Sequence, residues 1–271
     1  MKNRTVLVIG SASGIGKATA DRFLAEGSLV MGIDIANQAD GANFTPITAD
    51  IRDYAQLEGI SDEAFSGVKL DSIIFTAGVH TMASLAESEI ADIKRLIEIN
   101  LLGAMNCVRA FHKHLSESGR IIIVTSEVAT YTPMPFNGLY NISKTALESY
   151  ADALRQELNL IGQKVITVRP GSTDTPLARN TDAATKALVS ATTLYKQESE
   201  HFCRLVENFK GKPISPEKIA ETVYKAANKK HPKLSYAKHR SIGLVLLNAL
   251  PKRTQLFMIK LLLKKKKSSR A

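Results

Sequence analysis

The segment "TVLVIGSASGIGKATADRF", residues 5–23, runs an apolar, β-branched stretch into three glycines, Gly10, Gly14 and Gly16, and then into a helical pattern. Gly16, Ala20, Phe23 and Leu24 fall at i, i+4, i+7 and i+8, one face of a helix, and Gly27 supplies a C-terminal stop. A strand that turns through glycine into a helix opens a βαβ unit, whose crossover is right-handed. The alternation continues through "LVMGID" (29–34), "DSIIFT" (71–76), "GRIIIVTS" (119–126) and "QKVITVRP" (163–170). Strands apolar on both faces and spaced by helices predict a parallel sheet covered on both sides. The chain is therefore expected to be an α/β protein with a doubly wound parallel sheet in a single domain over residues 1–228. A hydrophobic share of 44% in 271 residues is ample for its core.

The glycine spacing suits an anion. Gly10 would make the tight turn, Gly14 would let the backbone approach a pyrophosphate, and Gly16 would allow close helix packing, with Ser13 and Ile15 in the same loop. Free N–H groups and the dipole at a helix N-terminus favour phosphate. The spacing is G-x-x-x-G-x-G rather than G-x-G-x-x-G, and a tight turn without ligand is the plain alternative. Asp34 ends the second strand where, in a Rossmann-like nucleotide site, an acid would hold the adenosine ribose hydroxyls; alone it could be a surface Asp at a strand end. A 2′-phosphate adds roughly 1.5 to 2 negative charges, and each unit is repelled by about 4 kcal/mol at about 4 Å and an effective dielectric near 20. Neither Ser13 nor Ile35 supplies a cation, so NAD is expected in preference to NADP.

"SEVATYTPMPFNGLYNISK" (126–144) holds Tyr140 and Lys144, which share a helix face at i and i+4 if Ala146, Leu147, Tyr150 and Leu154 continue the helix. Ser126 follows a strand whose C-terminal end faces the expected crevice. Hydride transfer to a carbonyl needs an acid that gives up a proton near neutral pH, whereas free tyrosine titrates near 10, a gap of about 4 kcal/mol. One ammonium about 4 Å away offers about that much at an effective dielectric near 20, and oxidised nicotinamide adds a second positive charge. Tyr140 is thus expected to act as general acid or base with a lowered pKa, Ser126 hydrogen-bonding the substrate oxygen. A helix-surface Tyr and Lys beside a buried Ser is the alternative.

On these residues the chain resembles the short-chain dehydrogenase/reductases over about residues 3–228. Gly10, Gly14 and Gly16 match that family's cofactor loop, Asp34 looks like its NAD-selecting acid, and Asp50 with Ile51 in "TADI" matches the segment that holds the adenine. "FTAG" (75–78) stands where the family usually has N-N-A-G, so Ala77 and Gly78 match and the two asparagines are missing. "IEINLLGA" resembles the helix whose Asn, here Asn100, props a water in a proton relay with the Lys. In "RPGSTDT" (169–175), Pro170, Gly171, Thr173 and Thr175 match the segment that holds the nicotinamide amide. The resemblance implies a catalytic tetrad of Asn100, Ser126, Tyr140 and Lys144, a dimer or tetramer, and a secondary alcohol or ketone as substrate. Fourteen positions separate Ser126 from Tyr140 where the family commonly has thirteen, and the Pro-rich "TYTPMPFNG" is expected to absorb the extra residue.

Between Pro176 and Gly211 a helical, mixed-polarity stretch with Leu188, Leu194, Tyr195, Phe202 and Leu205 is expected to close over an apolar substrate or to pack on the domain edge; His201 is expected to be structural. Cys107 and Cys203 make no disulfide framework, and no cluster has metal-ligand spacing, so a reducing, cytoplasmic setting without metal is expected. The net charge of +10 is local: residues 229–271 hold thirteen Lys and Arg and no acid. This extension is expected to be helical, with no span long enough to cross a bilayer. It could pack on the domain or a partner copy, or lie on an anionic membrane surface with Leu256, Phe257, Ile259, Leu261, Leu262 and Leu263 inward. Without an aromatic-basic surface, nucleic acid is not expected as a partner. The reading from the residues is an NAD-dependent oxidoreductase. Its rivals are an impaired nucleotide-binding scaffold and a peripheral membrane module.

Overall fold

A computed structural model describes residues 4–179, 181–209 and 211–264. The chain alternates strand and helix as β1 (Thr5–Ile9), α1 (Gly14–Leu24), β2 (Leu29–Asp34), β3 (Phe44–Thr48), α2 (Tyr54–Ala64) and β4 (Leu70–Phe75). Next come α3 (Ile90–Ile97), a π turn over Glu98–Leu102, α4 (Gly103–Phe111), β5 (Leu115–Val124), α5 (Gly138–Asn159) and β6 (Lys164–Pro170). The remainder is α6 (Pro176–Arg179), α7 (Thr181–Ala191), α8 (Lys196–Phe209), α9 (Pro216–Asn228), β7 (Ser235–Lys238), α10 (Ile242–Asn248) and α11 (Lys252–Leu263).

All seven strands lie parallel in the order β3-β2-β1-β4-β5-β6-β7, the doubly wound arrangement expected. Chain direction reverses across the sheet between β1 and β4, which opens a crevice at their C-terminal ends. Alternate residues of the central strands bury on opposite faces. Leu7, Ile9, Ile73 and Ile121 meet Phe65, Phe111 and Leu147 on one side. Val6, Val8, Ile74 and Ile122 meet Phe23, Ile219 and Val223 on the other.

Two strands lie outside the sequence expectation. β3 contains Pro46 and is half exposed, an edge strand without a continuous apolar run. β7, "SYAK", lies inside the basic extension and pairs with β6, so the sheet continues past residue 228. The extension then forms α10 and α11. Only Ile259 and Leu263 of its six apolar candidates turn inward, onto a third cluster with Met82, Phe136, Leu188 and Phe202.

Candidate active site

The glycine loop follows steric necessity. Gly10 turns at φ +87°, donating its N–H to Ile33 O at 2.8 Å, and Gly14 turns at φ +52°. A Cβ on Gly16 would lie 1.8 Å from Gly10 O, so only glycine lets α1 start this close to β1. Ser13 precedes α1 without capping it and the first turn carries no acid, so the N–H groups of Gly14, Ile15 and Gly16 face the crevice mouth uncompensated. Where the asparagines were missing, Thr76 serves instead: its hydroxyl donates to Ile9 O at 2.7 Å while Phe75 is buried, and β4 stays tied to the loop. Ala77 follows directly under Gly10.

Asp34 ends β2 with its carboxylate against this loop, accepting from Ala12 N and Ala36 N at 3.0 Å each. Asp50 is more committed. Its carboxylate takes the Arg52 guanidinium at 2.6 Å, which holds the acid below its ordinary pKa. Ile51 packs against Gly103, whose Cβ would sit 2.6 Å from Ile51 Cδ1.

The catalytic candidates meet at the C-terminal ends of β4 and β5. Tyr140 and Lys144 sit one turn apart on α5, both buried, with Lys144 Nζ 5.8 Å from the phenol ring centroid. Ser126 follows β5, its Oγ accepting from Val128 N at 3.4 Å, and its hydroxyl lies near enough to the Tyr140 phenol to favour the phenolate despite the fourteen-residue spacing. The loop between them includes Phe136 at φ +62°, held by its carbonyl accepting from Ala83 N at 2.8 Å. Thr125 points the other way, donating to the buried Glu148 at 2.7 Å. Asn100 is fully buried in the π turn. It accepts from Val79 N at 2.8 Å and donates to Val79 O at 2.9 Å and Ser143 Oγ at 3.0 Å. Gly78 lies between: a Cβ there would meet Asn100 Oδ1 at 3.2 Å and Lys144 Nζ at 3.3 Å.

Of the two positive charges expected to lower Tyr140, the protein itself supplies only the Lys144 ammonium. Burial drives the phenol up to about 12, against which the nearby Ser126 hydroxyl works only in part. The expected lowering is not a property of this chain alone, because the enclosure that orients the phenol also strips water from its anion. Lys144 is desolvated in turn and falls to about 8, and no carboxylate pairs with it among the described residues. A buried ammonium without an anion partner suits a site completed by a polar ligand.

Opposite the glycine loop, Gly14 faces Thr175, whose side chain would be 3.3 Å from an added Cβ. Thr173 Oγ donates to Gly171 O at 3.0 Å, and Thr175 Oγ caps α6 by accepting from Ala178 N at 3.2 Å. Gly171, after Pro170, has His239 O where a Cβ would be and donates its N–H to Lys238 O at 2.8 Å. The segment after Pro170 thus leans on the C-terminal extension.

Sequence reasoning missed two participants. His80 packs edge-on against the Tyr140 ring, centroids 4.6 Å apart, and its Nε2 lies 3.0 Å from Asn137 Oδ1; burial holds it below its ordinary pKa. Glu87 fastens the turn between α7 and α8, accepting from the Thr192 and Thr193 hydroxyls and from Thr193 N and Leu194 N. Leu85 reaches over Gly138, and Met82, Phe136, Leu188 and Phe202 pack together in a buried apolar cluster. Leu194 is exposed, and His201 binds Leu263 O as a structural histidine. No group of three or more metal-ligating side chains occurs among the described residues.

The family described as "short chain dehydrogenase" matches residues 4–186. "Probable oxidoreductase EphD" of Mycobacterium tuberculosis is 29% identical over 241 residues, 84% of this chain and 40% of its own, so the chain spans less than half of that relative. The "2,3-dihydro-2,3-dihydroxybenzoate dehydrogenase" of Escherichia coli is 28% identical over 227 residues, covering 81% of this chain and 88% of its own. In fold, a short chain dehydrogenase from Burkholderia cenocepacia, solved in complex with NADP, superposes with a TM-score of 0.73 over 95% of this chain and 97% of that one at 20% identity. The seven-stranded parallel sheet agrees with that match. The chain belongs to the short chain dehydrogenase family, whose members are oxidoreductases that bind NAD(P).

Proposed function

We propose that the protein is an NAD-dependent oxidoreductase that interconverts a secondary alcohol and a ketone with an apolar body. The observation that carries this reading is the buried convergence of Ser126, Tyr140 and Lys144 at the mouth of the crevice. The glycine loop and the uncapped start of α1 would hold the pyrophosphate, Asp34 the adenosine ribose, Asp50 and Ile51 the adenine, and Pro170, Gly171, Thr173 and Thr175 the nicotinamide amide. Bound NAD supplies or accepts the hydride.

The chain's own residues manage the proton. Ser126 donates its one hydroxyl proton to the substrate oxygen, which sets that oxygen within reach of the Tyr140 phenol. Tyr140 gives its proton to the alkoxide in reduction and takes it from the alcohol in oxidation. Lys144 makes the phenolate accessible, because its ammonium and the positive ring of the oxidised cofactor offset the desolvation that alone raises Tyr140. Asn100 keeps the 78–80 loop on α5 and holds the π turn open beside Lys144 for a proton relay. Met82, Leu85, Phe136, Leu188 and Phe202 favour an apolar substrate body. We infer further that the protein works as a dimer or tetramer in the reducing cytoplasm.

The test is turnover of NAD with a panel of secondary alcohols. Tyr140→Phe should abolish it while calorimetric cofactor binding persists. Turnover that survives this change refutes the assignment. The scaffold alternative was motivated by a displaced Ser126, and the nearness of its hydroxyl to the Tyr140 phenol speaks against that motive.

A further inference from the structure

One side of α11, Gln255, Ile259 and Leu263, is buried against α8 and the apolar cluster of Met82, Phe136, Leu188 and Phe202. The other side has no partner among the described residues. Phe257 and Leu261, one turn apart, are 66% and 63% exposed, with Leu256 and Leu262 at the margins. On α10, Ile242 and Leu246 repeat the spacing at 76% and 63% exposure. Single exposed apolar residues are ordinary, whereas a row of them on successive helices marks a contact surface. The helical repeat sets Arg253, Lys260 and Lys264 on the same outer side as Phe257 and Leu261.

We propose that this face docks on the surface of an anionic lipid bilayer, with Phe257 and Leu261 in the acyl boundary and the cations at headgroup level. Charge selects this occupant. A second copy seated on the same face would set the cationic row against itself across a two-fold axis, and residues 229–271 hold no acid to neutralise it. No helix among the described residues is long and apolar enough to cross a membrane, so attachment is to the surface. The inference stands whether or not the activity reading does.

Flotation of the full chain with phosphatidylcholine vesicles, with and without phosphatidylserine, tests it. Binding is expected only with phosphatidylserine and should weaken as salt rises. Phe257→Ser with Leu261→Ser should lower the partition coefficient about tenfold or more. Lys260→Gln with Lys264→Gln should lower it about tenfold on the anionic vesicles alone. The chain has no tryptophan, so Phe257→Trp provides a single fluorophore whose emission should move to the blue on the anionic vesicles. Equal binding to both vesicles, no binding, or no effect of either double substitution would overturn the proposal. A halved sedimenting mass in the Phe257→Ser, Leu261→Ser protein would assign the face to a second copy and overturn it too.

Discussion

Asp34→Asn should exchange a strong cofactor preference for a weak one. The carboxylate cannot swing away from a 2′-phosphate, because Ala12 N and Ala36 N each hold one of its oxygens at 3.0 Å. At about 4 Å and an effective dielectric near 20, each unit of phosphate charge is opposed by about 4 kcal/mol. Solvent at this half-exposed position screens roughly half of that. With roughly 1.5 to 2 charges on the phosphate, NADP should bind about 3–4 kcal/mol more weakly than NAD, a ratio on the order of a few hundredfold. Asparagine keeps an oxygen for the Ala12 N–H and deletes the charge, so the ratio should fall to within about tenfold of unity. Isothermal titration of both oxidised cofactors into each protein, at low and high salt, measures it directly. If the unaltered protein binds NADP as tightly as NAD, or the ratio survives in Asp34→Asn, the electrostatic argument is wrong.

Other consequences are equally direct. Gly16→Ala places a Cβ 1.8 Å from Gly10 O and 2.5 Å from Thr76 Oγ, so the urea midpoint should fall by the equivalent of about 1–3 kcal/mol. Lys144 titrates near 8 when folded and at 10.5 when unfolded. The unfolded chain therefore holds the extra proton between those values, and stability should rise with pH there, by up to about 3 kcal/mol. Tyr140, raised to about 12, works in the opposite sense above pH 10, so the comparison of the unaltered protein with Lys144→Met belongs below that; a rise that persists in Lys144→Met would count against the assignment. Glu87, held down to about 2 chiefly by the Thr192 hydroxyl, latches the α7–α8 turn. In Glu87→Gln, amide exchange at Thr193 and Leu194 should accelerate and KM should rise with kcat little changed.

What the sequence made legible was whatever a local rule enforces. β1 and β2 fall on the expected residues because an apolar run bounded by glycine has one reading. Gly10 makes the turn and Gly16 the close helix packing expected of them, because each answers a steric demand that a side chain would violate. β3 was hidden by Pro46 and by its edge position, and β7 by its polar residues inside a basic tail. His80 and Glu87 carry no local signature, since their partners lie 57 and 105 residues away. The direction of the Tyr140 shift escaped for a different reason. A charge pair can be counted along a helix, but the desolvation that outweighs it depends on side chains gathered from several elements.

The π turn over Glu98–Leu102 sets stability and geometry against one another. Removing one residue from it would let α3 and α4 merge into a single regular rod with better-formed backbone hydrogen bonds. That rod would rotate Asn100 by about 100° and carry its amide away from Val79 and Ser143. Selection for a sturdier protein would erase the irregularity, so its persistence would track the need for Asn100 where it is, and a shortened variant should melt later while losing the loop that faces Lys144.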